Sequence, residues 1–64
     1  MKISLKAARV NAGMTQNEAA RKAGVSKSSI INWEKGKTFP TATKMMELCK
    51  LYCVTMDDIF LIEK

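Results

Sequence analysis

Apolar residues recur along this chain at intervals of three and four residues, the spacing that lines one face of an α-helix. Leu5, Ala8 and Ala12 form the first such face. It stops at Gly13, which enters the left-handed backbone region without a Cβ clash and therefore suits the end of a helix. No stretch shows the apolar and polar alternation of a half-buried strand. The pattern predicts an all-α protein.

A second helix is predicted after a capping box. In such a box the Thr15 side-chain oxygen accepts from the N3 amide, and the Glu18 side chain accepts from the amide of Thr15. The helix begins at Gln16 and runs to Gly24. Its inward face is made of alanine, which lets a neighbouring backbone approach closely.

A third helix is predicted after a turn of only three residues, 24–26. Ser26 caps this helix and Gly36 ends it, so it occupies residues 27–35. A connection this short, with glycine in its first position, forces the second and third helices to cross at a steep angle.

The fourth predicted helix follows Pro40 and carries one apolar stripe. The members of the stripe are spaced at i, i+3, i+4 and i+7, namely Met45, Leu48, Cys49 and Tyr52. We interpret the stripe as core packing rather than as a ligand site. Thr41 or Thr43 is the expected cap.

A fifth helix is predicted after a weaker capping signal. Thr55 and Asp58 repeat the spacing of the capping box, and apolar residues on either side are placed as a hydrophobic staple. We expect this helix to run through Ile62. A chain of 64 residues holds one small domain, so the expected fold is a compact five-helix domain over residues 1–64.

The charge of the chain is concentrated in its N-terminal half. The net charge is +5, but residues 1–37 carry eight basic and two acidic side chains, or +6, whereas residues 38–64 carry three and four, or −1. A field of this kind attracts a polyanion such as nucleic acid. A basic balance that serves only solubility is the alternative.

Several classes of protein find no support in the residues. No apolar run approaches the roughly 18 residues that span a bilayer, and the N-terminus lacks the apolar segment of a signal peptide, so we expect a soluble, cytoplasmic protein. Cys49 and Cys53 lie four residues apart in a chain without histidine, so we expect structural thiols, no metal site and no cofactor. Asp57 and Asp58 complement a helix dipole rather than form an acid–base pair, and we expect no enzyme.

The third helix has two distinct faces when residues are placed at about 100° per step. Ile30, Trp33 and Glu34 cluster on the inward side. The outward side presents Ser28, Ile31, Asn32 and Lys35, with Lys27 and Ser29 at its flanks. Short hydrogen-bonding groups, an aliphatic group and lysines suit base edges, thymine methyl groups and phosphates in a major groove. An ordinary solvated helix face is the alternative.

The two central helices carry the spacings of a helix-turn-helix. The matching positions are Gln16, Ala20, Gly24, Ile30 and Trp33. The segment TQNEAARKAGVSKSSIINWEKGKTFP, preceded by LKAARVNAGM and followed by PTATKMMELCKLYCVTMDDIF, resembles the Cro/cI-type, or XRE, helix-turn-helix family, which has the lambda-repressor-like fold. The resemblance implies a sequence-specific transcriptional regulator that binds double-stranded DNA.

The resemblance also implies roles for individual residues. Gln16 matches a residue that holds a phosphate at the start of the second helix, with help from Thr15. The other matches to DNA-contacting positions are Lys27, Ser28 and Asn32 at base edges, Ser29 near the sugar-phosphate strand, and Lys37 and Thr38 at phosphates. Lys35, on the outward face, is a further phosphate candidate. Arg9 and Glu34 match a charge pair that is commonly buried.

Some positions depart from the family pattern. Relatives often carry glutamine at Lys27 and Ser28, where lysine suits guanine or a phosphate and serine discriminates poorly. Ile31 replaces a usually polar residue, and we hypothesise that it meets a thymine methyl group. Thr38 and Phe39 stand where further basic residues are common, so minor-groove reach from that loop is not expected. Cys53, at the end of the fourth helix, stands where the family commonly has a glycine.

A monomer of this size contacts few base pairs, so we expect a homodimer on a pseudo-palindromic operator. Its half-site centres would lie about one helical turn, ~34 Å, apart. Phe60, Leu61 and Ile62 are the interface candidates, against the alternative of a frayed C-terminus. A repressor of phage or mobile-element type is the expected class. An antitoxin-type module that sequesters a partner protein and a restriction-modification controller are the alternatives.

Overall fold

The computed structural model describes residues 2–60, and in that range it contains four α-helices and one short 3-10 helix. The α-helices are α1 (Leu5–Asn11), α2 (Gln16–Ala23), α3 (Lys27–Lys35) and α4 (Ala42–Tyr52), and the 3-10 helix is Met56–Asp58. The predicted all-α architecture is confirmed for these residues. The predicted bounds of the second and third helices are confirmed as well.

Hydroxyl side chains begin all four α-helices. Each accepts a hydrogen bond from the backbone amide three residues later, and the four caps are Ser4, Thr15, Ser26 and Thr41, at 3.1, 3.1, 3.2 and 3.2 Å. The amide of Thr15 also donates to Oε1 of Glu18 at 3.0 Å, which completes the predicted capping box. Of the two caps considered for α4, the structure uses Thr41.

The prediction of a fifth α-helix is wrong within the described residues. The amide of Thr55 donates to Oδ2 of Asp58 at 3.1 Å, as in a capping box, but only the 3-10 helix follows. Ile59 is already extended, with φ −101° and ψ 134°. The predicted helix also included Leu61 and Ile62, which lie outside the described residues.

The extended backbone at Ile59 pairs in parallel with Ile3 near the other end of the chain. The amide of Ile3 donates to the carbonyl oxygen of Asp58 at 2.7 Å, and the amide of Phe60 donates to the carbonyl oxygen of Ile3 at 3.1 Å. These bonds need an extended segment, whereas an α-helix would turn the same groups toward partners four residues away. Pairing with the N-terminal segment therefore takes the place of helix propagation.

The core lies between the helices and consists of small and aliphatic side chains. Its buried members are Leu5, Ala8, Ala19, Ala20, Ala23, Ile30, Met45, Leu48, Cys49, Tyr52 and Ile59. The alanines of α2 let this helix pack closely against both α3 and α4. No helix within residues 2–60 has the length and apolar character to cross a membrane.

The two cysteines are free thiols in different surroundings. Cys49 is buried, and burial raises the pKa of its thiol, with a smaller contribution from the nearby Asp58 carboxylate. Cys53 is exposed. Among residues 2–60, no group of three or more histidine, cysteine or acidic side chains is placed to hold a metal ion.

Cys53 ends α4 in the left-handed backbone region, with φ 58° and ψ 42°. In the described part of the chain it is the sole residue other than glycine with a positive φ. A Cβ in this conformation approaches the following carbonyl oxygen and costs roughly 1–2 kcal/mol. The departure from the family's usual glycine at this position therefore corresponds to real backbone strain.

We expect Cys53→Gly to stabilise the fold by about 0.5–1 kcal/mol, because relief of the strain exceeds the entropy that glycine adds to the unfolded chain. Denaturant unfolding followed by Trp33 fluorescence measures the change. Cys53→Ala is the control, since it removes the thiol and keeps the Cβ. An equal gain in both variants would show that the thiol, and not the backbone, is responsible.

Candidate nucleic-acid interface

The turn between α2 and α3 is fixed by backbone hydrogen bonds. Gly24 is left-handed, with φ 71° and ψ 33°, and the amide of Val25 donates to the carbonyl oxygen of Ala20 at 3.0 Å. This is the bond pattern of a Schellman helix end. Ser26 then caps α3 directly. The segment α2, turn and α3 is therefore a helix-turn-helix in which every residue of the turn belongs to a helix cap or to a hydrogen-bonded helix end.

A buried ion pair joins α1 to α3. Nε of Arg9 donates to Oε2 of Glu34 at 2.7 Å, and Nη2 of Arg9 donates to Oε1 of Glu34 at 3.4 Å. The two side chains are only 9% and 6% exposed. Nη1 of Arg9 also donates to the carbonyl oxygen of Met14 at 2.8 Å. Several hydrogen bonds thus offset the cost of removing the two charges from water.

Glu34 also receives a hydrogen bond from α2. Nε2 of Gln16 donates to Oε1 of Glu34 at 3.2 Å, so this carboxylate accepts from residues of both α1 and α2. Sequence reasoning assigned Gln16 to a phosphate and missed this contact. Nothing in the local pattern signals it, because the two residues are 18 positions apart.

The four candidate base-contacting residues lie on α3 but differ in exposure. Lys27 and Ser28, in its first turn, are exposed, whereas Ile31 and Asn32 are half-buried. Ile30, on the opposite side, is only 1% exposed and faces the core. Of the four candidate base-contacting residues, the two at the N-terminal end of α3 are therefore the most accessible.

The six candidate phosphate-contacting residues lie at the start of α2 and on α3 and the loop after it. Lys35, Lys37 and Thr38 are exposed at the C-terminal end of α3 and beyond it, and Thr15 is exposed at the start of α2, where its hydroxyl also caps the helix. Gln16 and Ser29 are half-buried. The Ser29 hydroxyl lies 3.1 Å from the Ser26 hydroxyl, so it also belongs to the cap of α3.

Lys44 makes a contact that the sequence did not predict. Its Nζ donates to the carbonyl oxygen of Ala23 at 2.9 Å, at the C-terminal end of α2, and pairs with Oε1 of Glu47 at 3.4 Å. A cation at a helix C-terminus satisfies a free carbonyl and complements the helix dipole. The contact attaches α4 to the helix-turn-helix.

Tyr52 of α4 lies beside the same ion pair. The pKa of its phenol is raised to about 12, chiefly by burial and to a smaller extent by the Glu34 carboxylate, while the Arg9 guanidinium acts in the opposite direction. The surroundings of the ion pair thus include side chains from all four α-helices.

A helix-turn-helix family model matches the chain over residues 5–59, from the start of α1 to the residue after the 3-10 helix. The chain belongs to the XRE-type helix-turn-helix family. Members of this family are DNA-binding transcription regulators. The exposed face of α3, the second helix of the motif, is therefore the candidate surface for DNA.

The similar proteins of this family include archaeal and bacterial regulators. The XRE-type chain is 40% identical, over 98% of its length and 96% of the relative's, to an uncharacterised HTH-type transcriptional regulator of Methanocaldococcus jannaschii. It is 30% identical, over 98% of its length and 90% of the relative's, to one of Archaeoglobus fulgidus. It is also 38% identical to the HTH-type transcriptional regulator ImmR of Bacillus subtilis, over 83% of this chain and 42% of ImmR. No solved structure matches the chain.

Tyr52 should make the XRE-type fold lose stability in alkali. Its pKa is 10.0 when unperturbed and about 12 in the fold, so between these values the unfolded state binds fewer protons. The contribution is complete below pH 10 and falls as the pH rises, by about 1.4 kcal/mol between pH 9 and pH 11. Denaturant unfolding at both pH values measures it. Tyr52→Phe should lose less stability than the wild type over this range, and equal losses would contradict the assignment.

Proposed function

We propose that this protein is a sequence-specific transcriptional repressor, that residues 1–64 act as a single DNA-binding domain, and that α3 enters the major groove. The observation that most supports this is the exposed polar start of α3 within a helix-turn-helix whose orientation is fixed by the buried Arg9–Glu34 pair. The N-terminal residues of a recognition helix are those that contact base edges. The basic half of the chain contains this helix and supplies the attraction to DNA.

In this proposal four side chains of α3 read bases. Lys27 donates to O6 or N7 of guanine, and Ser28 contacts an adjacent base edge with little discrimination. Asn32 has the carboxamide that pairs with N6 and N7 of adenine, and the Ile31 side chain meets a thymine methyl group. The half-burial of Ile31 and Asn32 limits their reach, so the bases they read lie close to the axis of α3.

The remaining polar residues hold the two sides of the groove. Thr15 and Gln16 approach one phosphate strand at the start of α2, where the positive end of the helix dipole favours an anion. The candidates on α3 and in the loop after it are Ser29, Lys35, Lys37 and Thr38. Phosphate contacts on both sides of α3 fix its register in the groove without reading sequence.

A homodimer on a pseudo-palindromic operator completes the proposal. Phe60 supports the dimer, because it is 45% exposed and directly follows the extended residue that pairs with Ile3. Leu61 and Ile62, the other interface candidates, lie outside the described residues. Occupation of an operator that overlaps a promoter excludes RNA polymerase, and repression follows from this.

Selection of duplexes from a random-sequence pool at near-physiological salt tests the proposal. We expect an enriched inverted repeat with half-site centres about one helical turn, ~34 Å, apart, and sedimentation of a dimer on that DNA. Lys27→Met should change the preferred bases. Lys50→Met is the matched control, since it removes the same charge from an exposed position on α4 and should leave the preferred bases as they are.

The same experiment distinguishes the alternatives. Binding that weakens steeply with salt but enriches no sequence would mean that the basic surface holds only phosphates, and the proposal would fail. Monomers on the DNA would overturn the dimer alone. A protein partner that co-purifies with the chain and competes with DNA would favour the antitoxin-type role.

Ile31 should be responsible for a preference for thymine. Replacing one thymine of the selected site by uracil removes a single methyl group, and we expect wild-type affinity to fall about fourfold at the contacted position. Ile31→Ser should bind both duplexes equally. Val10→Ser, which changes an exposed aliphatic residue of α1, should keep the wild-type preference. If Ile31→Ser still binds the thymine duplex more tightly than the uracil duplex, the proposed contact of Ile31 with a thymine methyl group is wrong.

A further inference from the structure

Glu34 has a contact that its pairing with Arg9 does not require. Its Oε1 accepts from Nε2 of Gln16 at 3.2 Å, and Gln16 is the first residue of α2. The proposed function places that end of α2 against a phosphate strand. A role of this contact in DNA binding rests on the proposed function, since it concerns how that phosphate contact is built.

The chemistry of the two groups determines which way the Gln16 amide faces. A carboxylate paired with a guanidinium only accepts hydrogen bonds, so the nitrogen and not the oxygen of the carboxamide must face Glu34. One of the two Nε2 hydrogens is thereby engaged. The second hydrogen remains available for an acceptor outside the protein, and a phosphate oxygen is such an acceptor.

The group that orients Gln16 is itself rigidly held. The Glu34 side chain is 6% exposed and accepts from Nε of Arg9 at 2.7 Å, and Nη1 of Arg9 donates to the carbonyl oxygen of Met14 at 2.8 Å. A glutamine side chain ordered before binding loses less rotational freedom when DNA arrives. This smaller entropic cost of binding corresponds to an affinity about two- to twelvefold higher.

We propose that Glu34 is a positioning residue for DNA binding, because it holds the Gln16 carboxamide so that the second Nε2 hydrogen donates to a DNA phosphate. Glu34 itself does not touch DNA. The neutral amide lies between the two acidic groups and donates one hydrogen to each. The charge of Arg9 offsets that of Glu34, so the carboxylate does not repel the phosphate strand.

Single methylphosphonate substitutions in the selected duplex test this role, because each one neutralises one phosphate. Wild-type protein should lose about tenfold in affinity when the phosphate nearest the start of α2 is neutralised. Gln16→Met keeps the length of the side chain without the donor, so it should bind the unmodified duplex more weakly. Its affinity should also show no response at that phosphate, which means no further loss when that phosphate is neutralised.

Glu34→Gln should lose the response at the same phosphate although residue 34 does not reach it. Its single side-chain oxygen remains with Arg9, so its amide nitrogen faces Gln16. The Gln16 carboxamide then turns over, and its oxygen takes the place of its nitrogen, accepts from residue 34 and offers no donor to that phosphate. The variant that combines Gln16→Met with Glu34→Gln should show the same absence of a response at that phosphate as either change alone, because both remove one contact. Lys44→Met, which removes the contact at the opposite end of α2, controls for a general loss of stability and should keep the full response.

Each outcome decides between the inference and the proposed function. If Glu34→Gln is folded and keeps the response, or if Gln16→Met keeps it, the inference is overturned while DNA binding stands. If the wild type enriches no site at all, the proposed function fails first. If Glu34→Gln and Lys44→Met lose the same responses, the effect is one of stability and the positioning role is rejected.

A measurement on the free wild-type protein covers the case in which Glu34→Gln does not fold. The side-chain amide of Gln16 should show an NMR order parameter near that of rigid backbone, about 0.85, before DNA is added. The neighbouring Asn17, which is exposed, provides the comparison and should be mobile. Equal mobility of the two amides would overturn the inference.

Discussion

The buried ion pair between Arg9 and Glu34 is the interaction on which the orientation of α3 depends. Ile30 is the single fully buried residue of α3, so apolar packing alone fixes the orientation of this helix only weakly. The ion pair adds directional bonds to α1, and Gln16 adds one to α2. Removal of one partner leaves a buried charge and costs about 3–5 kcal/mol, a large share of the stability of a small domain. The constraint that orients the proposed reading surface is thus also a condition of folding.

Local features of the sequence predicted most of the helical architecture, for a simple physical reason. A capping hydroxyl and its acceptor amide are three residues apart, and a left-handed residue ends the helix that precedes it, so both signals are contained within one turn. Thr15, Ser26 and Gly24 illustrate this. The prediction of the fifth helix failed because the competing partner is distant in sequence. Asp58 and Phe60, on either side of Ile59, form hydrogen bonds with Ile3, which lies 55 and 57 residues earlier. No local pattern reports such a competitor.

The same distinction applies to the candidate interface. Helical periodicity assigned Ile30 to the core and Lys27 and Ser28 to solvent, because the direction of a side chain follows from its position in the turn. Periodicity does not predict how deeply a side chain is buried, and Ile31 and Asn32 are half-buried by neighbours from other parts of the chain. Two contacts between helices, that of Gln16 with Glu34 and that of Lys44 with Ala23, depend on packing and were not predicted.

The parallel pairing of Ile3 with Ile59 has a consequence for turnover in a cell. It joins the backbone just before α1 to the backbone just after the 3-10 helix, so both of these flanking segments are held by hydrogen bonds. Proteases cleave backbone that opens transiently, so the stability of this pairing limits cleavage next to α1 and next to the 3-10 helix. Its opening breaks two backbone hydrogen bonds and exposes the buried side chain of Ile59.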